Sequence, residues 1–438
     1  MTSRAMRFVR ATTIAALAAG TLALPGNAAT ASSAPGKAPR PGVTERVTVS
    51  AAGAQSDGDS GGPTLSADGR FAAFTTYGTT IVPGDTNGDA DAFVRDLRTG
   101  KVTRVSVAPD GTQSEGGDTH SATISGNGRY VALSSDATNL VDWGGRPPSG
   151  YSHTDVYVHD RRTGRTERVS TTPDGGTANA YGSLGISDDG RYVAFNAPVA
   201  RMEGGTSYQL AAYVTDRRTG KVTRISHDHP EWSVSSTGIS GNGRYVQYVI
   251  RHPRGGRSEL MVFDRRTGKE EQANVDSAGT PSQADAGVVG GSLSDDGRYI
   301  AFSSLTDLVG DPTPNGFHLF VRDLRTDVTR RVRHEGPGER SLSGNVLSGD
   351  GRYLAYNFPV RTPGGDHVDN VYLHDLRTGA TRLVSRTITG GIATEPEGYS
   401  APSSLSGDGR TVGFLSSATD IVRGDTNGHS DGFVRRMR

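Results

Sequence analysis

Apolar residues gather in short runs, FAAF, YVAL, YVAF, YVQY, YIAF, YLAY and TVGF, each placed directly after an (Asp or Asn)-Gly-Arg triplet. The triplets stand at 68–70, 127–129, 189–191, 242–244, 296–298, 350–352 and 408–410. Residues apolar at consecutive positions show side chains to both faces of a strand, which suits a sheet packed between two others. Before each triplet lies a short segment ending in Ser, such as PTLS before Ala67 or ATIS before Gly126, so the local reading is strand, tight turn, strand. Asp-Gly and Asn-Gly favour the positive φ values of two-residue hairpin turns and account for the triplet without chemistry. A third strand then ends in Asp, in AFVRD, VYVHD, AYVTD, MVFD, FVRD and VYLHD. A second turn built on Arg-Thr leads into a fourth strand, clear in KVTRVSV, RTERVS, KVTRIS, VTRRVR and ATRLVS and weaker in KEEQANV.

Seven repeats of four antiparallel strands predict an all-β, seven-bladed β-propeller. The triplet glycines lie 53 to 62 residues apart, more than the ~40 to 50 of a compact blade, so each blade carries an enlarged loop. The seventh repeat reaches its third strand at residues 432–438, and the N-terminal TERVTVS, residues 44–50, matches the strand it lacks. We expect this segment to complete the last blade and close the ring, removing an open sheet edge. Two residues before the Ser of each first strand stand Thr64, Thr123, Gly185, Gly238, Ser292, Val346 and Ser404. Nearly all are small, as innermost strands converging on an axis require.

The 438 residues carry 47 basic and 47 acidic side chains, so no net field draws the chain to nucleic acid or to an anionic membrane. Hydrophobic residues are only 33%, yet 60 glycines and regularly spaced aromatics mark a protein of short strands and turns rather than a disordered one. There is no cysteine, which excludes disulfides, thiolate metal sites, cysteine nucleophiles and a lipid-modified N-terminal cysteine. Arg4, Arg7 and Arg10, the apolar residues 11–24 and the small residues after them read as a secretory signal, cleaved after Ala28 or Ala31. That run is shorter than the roughly 20 residues of a membrane span. The expected organisation is a signal peptide over 1–31, a flexible leader over 32–43 and a propeller over 44–438, secreted, soluble and monomeric.

The strings Ser66-Ala67-Asp68-Gly69-Arg70 and Ser187-Asp188-Asp189-Gly190-Arg191 lead into an apolar strand and then a strand ending in Asp-Leu-x-Thr-Gly. In this they resemble the TolB-type, WD-repeat-like propeller family, whose blades read Ser-Pro-Asp-Gly-Arg, with the Pro replaced here. The resemblance runs from about Thr44 onward and implies the fold; the α/β N-terminal domain of TolB has no counterpart, so its periplasmic partners are not implied. Some TolB-type enzymes that cleave pectic oligosaccharides hold a metal with histidines near the axis. No matching motif is present, and the resemblance assigns no residue.

Candidate chemistry divides between two faces. The seven triplet arginines and the strand-ending Asp96, Asp160, Asp216, Asp264, Asp323 and Asp375 share one face and are expected to form an ion pair in each blade. In the seventh repeat the Asp position is Arg436, so that pair should be missing. The opposite face carries the loops between second and third strands and those joining blades, where propellers commonly bind ligands. His120, His153, His227, His229, His252, His367 and His429 fall there, as do Trp143 and Trp232, which could stack on sugars.

The string GDTNG occurs in two of those loops. It places Asp85, Asn87, Asp89 and Asp91 in repeat one and Asp425, Asn427 and Asp431 in repeat seven, oxygen-bearing side chains at alternate positions that admit calcium. An Asx-turn followed by an Asn-Gly turn explains the same residues without metal. Two strings that superficially suggest a nucleophile elbow, 185–190 and 238–243, have the wrong glycine spacing and are copies of the repeat turn. The expectation is a secreted, non-catalytic binding propeller engaging a protein, peptide or glycan. The alternatives are an extracellular polysaccharide lyase or hydrolase with its site at the channel mouth, and a structural cell-envelope component.

Overall fold

The computed structural model describes residues 42–143, 154–171, 179–201, 208–226, 233–251, 258–281, 289–310, 316–334, 343–362, 365, 367–394 and 398–437. These form seven four-stranded antiparallel sheets and no helix. Blade one runs outward from the axis through Thr64–Leu65, Phe71–Thr76, Asp91–Asp96 and Val102–Arg104, and five further blades repeat that order. The weakly matching fourth repeat is no exception, since Lys269–Gln272 pairs with Ser258–Asp264. In blade seven the sheet order is Ser400–Leu405, Thr411–Ser416, Asp431–Arg436 and then Thr44–Arg46. Thr44 lies opposite Arg435 and Arg46 opposite Phe433. Regular pairing is shorter than the seven residues the sequence pattern indicates: Val47 adds one bond to the Gly432 carbonyl at 2.8 Å, after which Ser50 and Ala54 turn the chain.

The repeat turn differs from a two-residue hairpin. In blade one the Gly69 N–H reaches the Ser66 carbonyl at 2.8 Å, and only the glycine has positive φ, +63°. The buried Ser66 hydroxyl donates to Asp68 at 2.6 Å while accepting the Phe71 N–H at 3.0 Å, and Asp68 accepts the Arg70 N–H at 3.0 Å. One serine and one Asx side chain thus satisfy the backbone of a four-residue connection, an arrangement that recurs through Ser406, Asp408 and Arg410 of the last blade.

Between blades, the first or second residue after each turn serine links to the next turn. Backbone bonds run Ala67 to Gly126, Asn127 to Asp188, Asp188 to Gly241, Asn242 to Asp295, Asp295 to Gly349, Asp350 to Gly407, and Gly407 back to Ala67 at 2.8 Å. The seven blades therefore form a closed ring. Small innermost residues join their neighbours directly, as when Thr64 donates to the Ala122 carbonyl and Ser404 to that of Pro63. Blade interiors are held by cross-strand aromatic pairs such as Phe74 with Phe93, Phe302 with Phe320 and Phe414 with Phe433, ring centroids 5.4 to 5.7 Å apart. In six blades the aromatic after the triplet arginine packs on the turn glycine of the next blade, Phe71 on Gly128 and Tyr245 on Gly297, while in blade seven Thr411 meets Gly69. A side chain at Gly297, with φ +71°, would overlap the Tyr245 ring.

Candidate functional site

On the repeat-turn face six blades hold the expected ion pair. Arg70 meets Asp96 at 2.7 Å, Arg129 Asp160 at 2.6 Å, Arg191 Asp216 at 2.7 Å, Arg244 Asp264 at 2.5 Å, Arg298 Asp323 at 2.6 Å and Arg352 Asp375 at 2.6 Å. Each arginine also lies over the aromatic that follows it, 4.6 to 4.7 Å from guanidinium carbon to ring centre. The aspartate additionally caps its own turn, as Asp96 does by accepting the Arg98 N–H at 2.9 Å. Hydrogen bonding from Arg191 holds the Asp216 carboxyl down at about 2, and the equivalent arginines depress Asp160, Asp264 and Asp375 as well. In blade seven Arg436 stands in the aspartate position, and among the described residues the one acid Arg410 reaches is Asp408 of its own turn, at 3.8 Å.

Nearer the axis on this face, the residue after the turn serine is Asp188 in blade three and Asp295 in blade five, on either side of Gly241 in blade four. Both carboxylates crowd the space a side chain at Gly241 would fill. Burial, reinforced by Asp188, Asp296 and Asp350, raises the Asp295 carboxyl to about 6, and burial also raises Asp188. The sequence pattern gave no sign of this pair, because the position reads as turn filler and the two residues meet only through ring geometry.

On the opposite face the two GDTNG loops adopt the same hydrogen-bonded form. Asn87 accepts the Asp89 N–H at 3.2 Å and donates to Asp91 at 3.3 Å and to the Ser114 carbonyl at 2.9 Å. Asn427 accepts the His429 N–H at 3.3 Å and donates to Asp431 at 2.9 Å and the Ser56 carbonyl at 3.0 Å. These are the Asx-turns foreseen as the alternative to a metal loop. The cationic place in each loop is taken by an outer-strand arginine: Arg104 lies 3.0 Å from Asp85 and 3.5 Å from Asp91, and Arg46 lies 2.6 Å from Asp425 and 3.3 Å from Asp431. Asp91 further accepts from Ser106 and Ser114, both at 2.5 Å, and Asp431 from Thr48 at 2.5 Å. Asp89 stands apart from Arg104, and burial raises its carboxyl with Asp118 adding to the effect. Calcium would have to displace a guanidinium from each loop, so the residues as arranged do not fit it. Sequence reasoning missed Arg46 and Arg104 because most outer strands carry an arginine at that place.

Of the loop histidines, His120 lies in the innermost strand Thr119–Ile124, 3.0 Å from Asp136. His367 opens the third strand of blade six, His367–Asp375, and His429 sits 3.4 Å from Asp59. His153, His227, His229, His252 and Trp232 lie outside the described residues. Trp143 packs under Arg168, 4.7 Å from its guanidinium carbon, and donates to the Thr138 carbonyl at 2.8 Å. Among the described residues no group of three or more His, Asp or Glu side chains is gathered to hold a metal ion, and no helix is long and apolar enough to cross a membrane.

No protein-family model and no curated protein matches the chain. Its similarity is to solved β-propellers. An oligogalacturonate lyase from Vibrio parahaemolyticus superposes with a TM-score of 0.56 at 13% identity, covering 89% of this chain and 92% of that one. An oligogalacturonate lyase in complex with manganese gives the same TM-score and identity over 92% and 95%. A putative TolB from Agrobacterium tumefaciens is matched at 15% identity over 63% of this chain and 80% of its own, with a TM-score of 0.39. At these identities the likeness is one of fold.

Proposed function

We propose that the protein is an exported binding propeller without catalytic chemistry, engaging a protein, peptide or glycan through the face that carries the loops between second and third strands. The observation that carries this reading is the uneven build of that face. The second strands of blades three and six, Tyr192–Arg201 and Tyr353–Arg361, run ten and nine residues against six for Phe71–Thr76 of blade one. At a rise of ~3.3 Å per residue they stand roughly 10 Å proud of it. A uniform frame with a stepped rim is how repeat proteins present a shaped binding surface. In the loops between second and third strands of blades one and seven, Asp85 and Asp425 are held in pairs with Arg104 and Arg46, which supports a structural role for those two acids.

The second reading, an extracellular lyase or hydrolase acting on polysaccharide, draws on the fold likeness to oligogalacturonate lyase over most of both chains. A thermal-shift screen of the exported form against glycans, peptidoglycan fragments and divalent metals, run beside a turnover assay on a polysaccharide panel that includes polygalacturonate, separates the two. The binding reading expects a ligand-dependent rise in Tm with no product formed. Release of unsaturated or reducing ends would overturn it in favour of the enzyme.

A further inference from the structure

In six blades the register sets an aspartate opposite the aromatic that follows the triplet, as in Asp96 opposite Phe71 and Asp375 opposite Tyr353. Blade seven changes both partners: Arg436 lies opposite Thr411. Arg410 therefore loses its carboxylate and its ring together, and its side chain is 78% exposed against 28% to 36% for the six paired arginines. Beside it lies a groove of about 860 Å³ lined by residues of blades six, seven and one. Its floor is apolar, from Tyr353, Leu373 and Met437, while Arg410 and Arg436 both line it.

The neighbouring acids are committed. Asp375 is closed onto Arg352 at 2.6 Å, and Asp68 and Asp408 each hold the serine hydroxyl and arginine N–H of their own turn. Glu45, on the adjoining outer strand, lies within electrostatic reach of Arg95 and, more weakly, of Arg436. The groove thus offers two guanidinium groups beside an apolar shelf, one of them the triplet arginine without its aspartate.

We propose that this groove binds an acidic peptide segment, one of whose carboxylates pairs with Arg410, the triplet arginine that lacks the aspartate partner present in the other six blades. Arginine favours this occupant because its planar fork meets a carboxylate with paired hydrogen bonds. The shelf of Tyr353, Leu373 and Met437 receives an apolar neighbour of the acid. The site lies on the face opposite the loops and stands or falls independently of a ligand there.

The test is calorimetric titration of the full chain with the blocked peptide acetyl-Leu-Asp-Leu-amide and with its Asn counterpart. The acidic peptide should bind at least about tenfold more tightly, since a charge-assisted bond outweighs a neutral one by about that factor, and the preference should weaken as salt is raised. Arg436→Asp supplies the seventh ion pair from within, so it should abolish the preference while the melting temperature holds or rises. Arg410→Gln should abolish it as well. Equal binding of the two peptides, binding of neither, or a preference that survives Arg436→Asp in a folded protein overturns the proposal.

Discussion

Asp216 and Asp295 lie on the same face of the ring, one at the outer end of a strand and the other beside the axis, and their surroundings drive them in opposite directions. Asp216 is held at about 2 by its bond to Arg191, whereas Asp295 is raised to about 6 by burial with Asp188, Asp296 and Asp350 close by. Six outer aspartates have a private arginine, whereas among the described residues Asp188 and Asp295 at the axis have no cation beside them. Convergence explains the difference. Strands spread apart toward the rim and leave room for an arginine, while at the axis the blades are joined backbone to backbone and only short side chains fit.

The largest effect should come from cutting the link between neighbouring turns. Gly297→Val forces a branched side chain into positive φ and into the Tyr245 ring at once, and should cost about 3 kcal/mol or more by chemical denaturation. Arg104→Ala carries the comparison to the opposite face, where the pair is buried: Arg104 is 9% exposed, Asp85 3% and Asp91 fully buried. Stranding two acids there should cost ~3 kcal/mol. Wild-type Tm should be the same in chelator and in millimolar calcium, and a calcium-dependent rise would restore the metal reading of these loops.

Asp295→Asn should do the reverse and stabilise the protein at neutral pH. Burial raises its carboxyl to about 6 from an ordinary 3.8, so its contribution is fully present below the lower value and is lost as pH rises through the upper one. The asparagine variant should gain about 1–3 kcal/mol above pH 6 and nothing near pH 4. A gain that is flat with pH would remove the axial pair from the account. Smallest is Asp216→Asn. Its depressed carboxyl contributes stability above the ordinary value of 3.8 that fades as pH falls toward 2, and because the pair is partly hydrated the midpoint should drop by no more than about 2 °C at pH 7.

What could be read from the sequence was whatever is local and repeated. The seven turns, the blades, the six Arg–Asp pairs and the vacancy at Arg436 all rest on residues a few positions from a fixed motif, and each copy reinforces the others. The turn type was misjudged because Asp-Gly suggests a two-residue hairpin, while Ser66 and its equivalents stabilise a longer connection through their hydroxyls. The axial pair was hidden: Asp188 and Asp295 are separated by a whole blade in sequence and brought together only by closure of the ring. The arginines inside the GDTNG loops were hidden for a different reason. Arg46 pairs with Asp425 across almost the whole chain, and nothing in either local string names the other.

The composite sheet of blade seven also orders events in time. Six blades draw all four strands from neighbouring sequence and can form by local pairing, but Thr44 must find Arg435, 391 residues away. Loop closure over that distance comes late, after most of the chain has already condensed. Until then the third strand of the last blade and the inner turn at Ala67 keep unpaired backbone groups. Folding should therefore show a slow final phase, sensitive to chain concentration through edge-to-edge association, that changes at residues 44–47 would prolong while leaving the earlier phases intact.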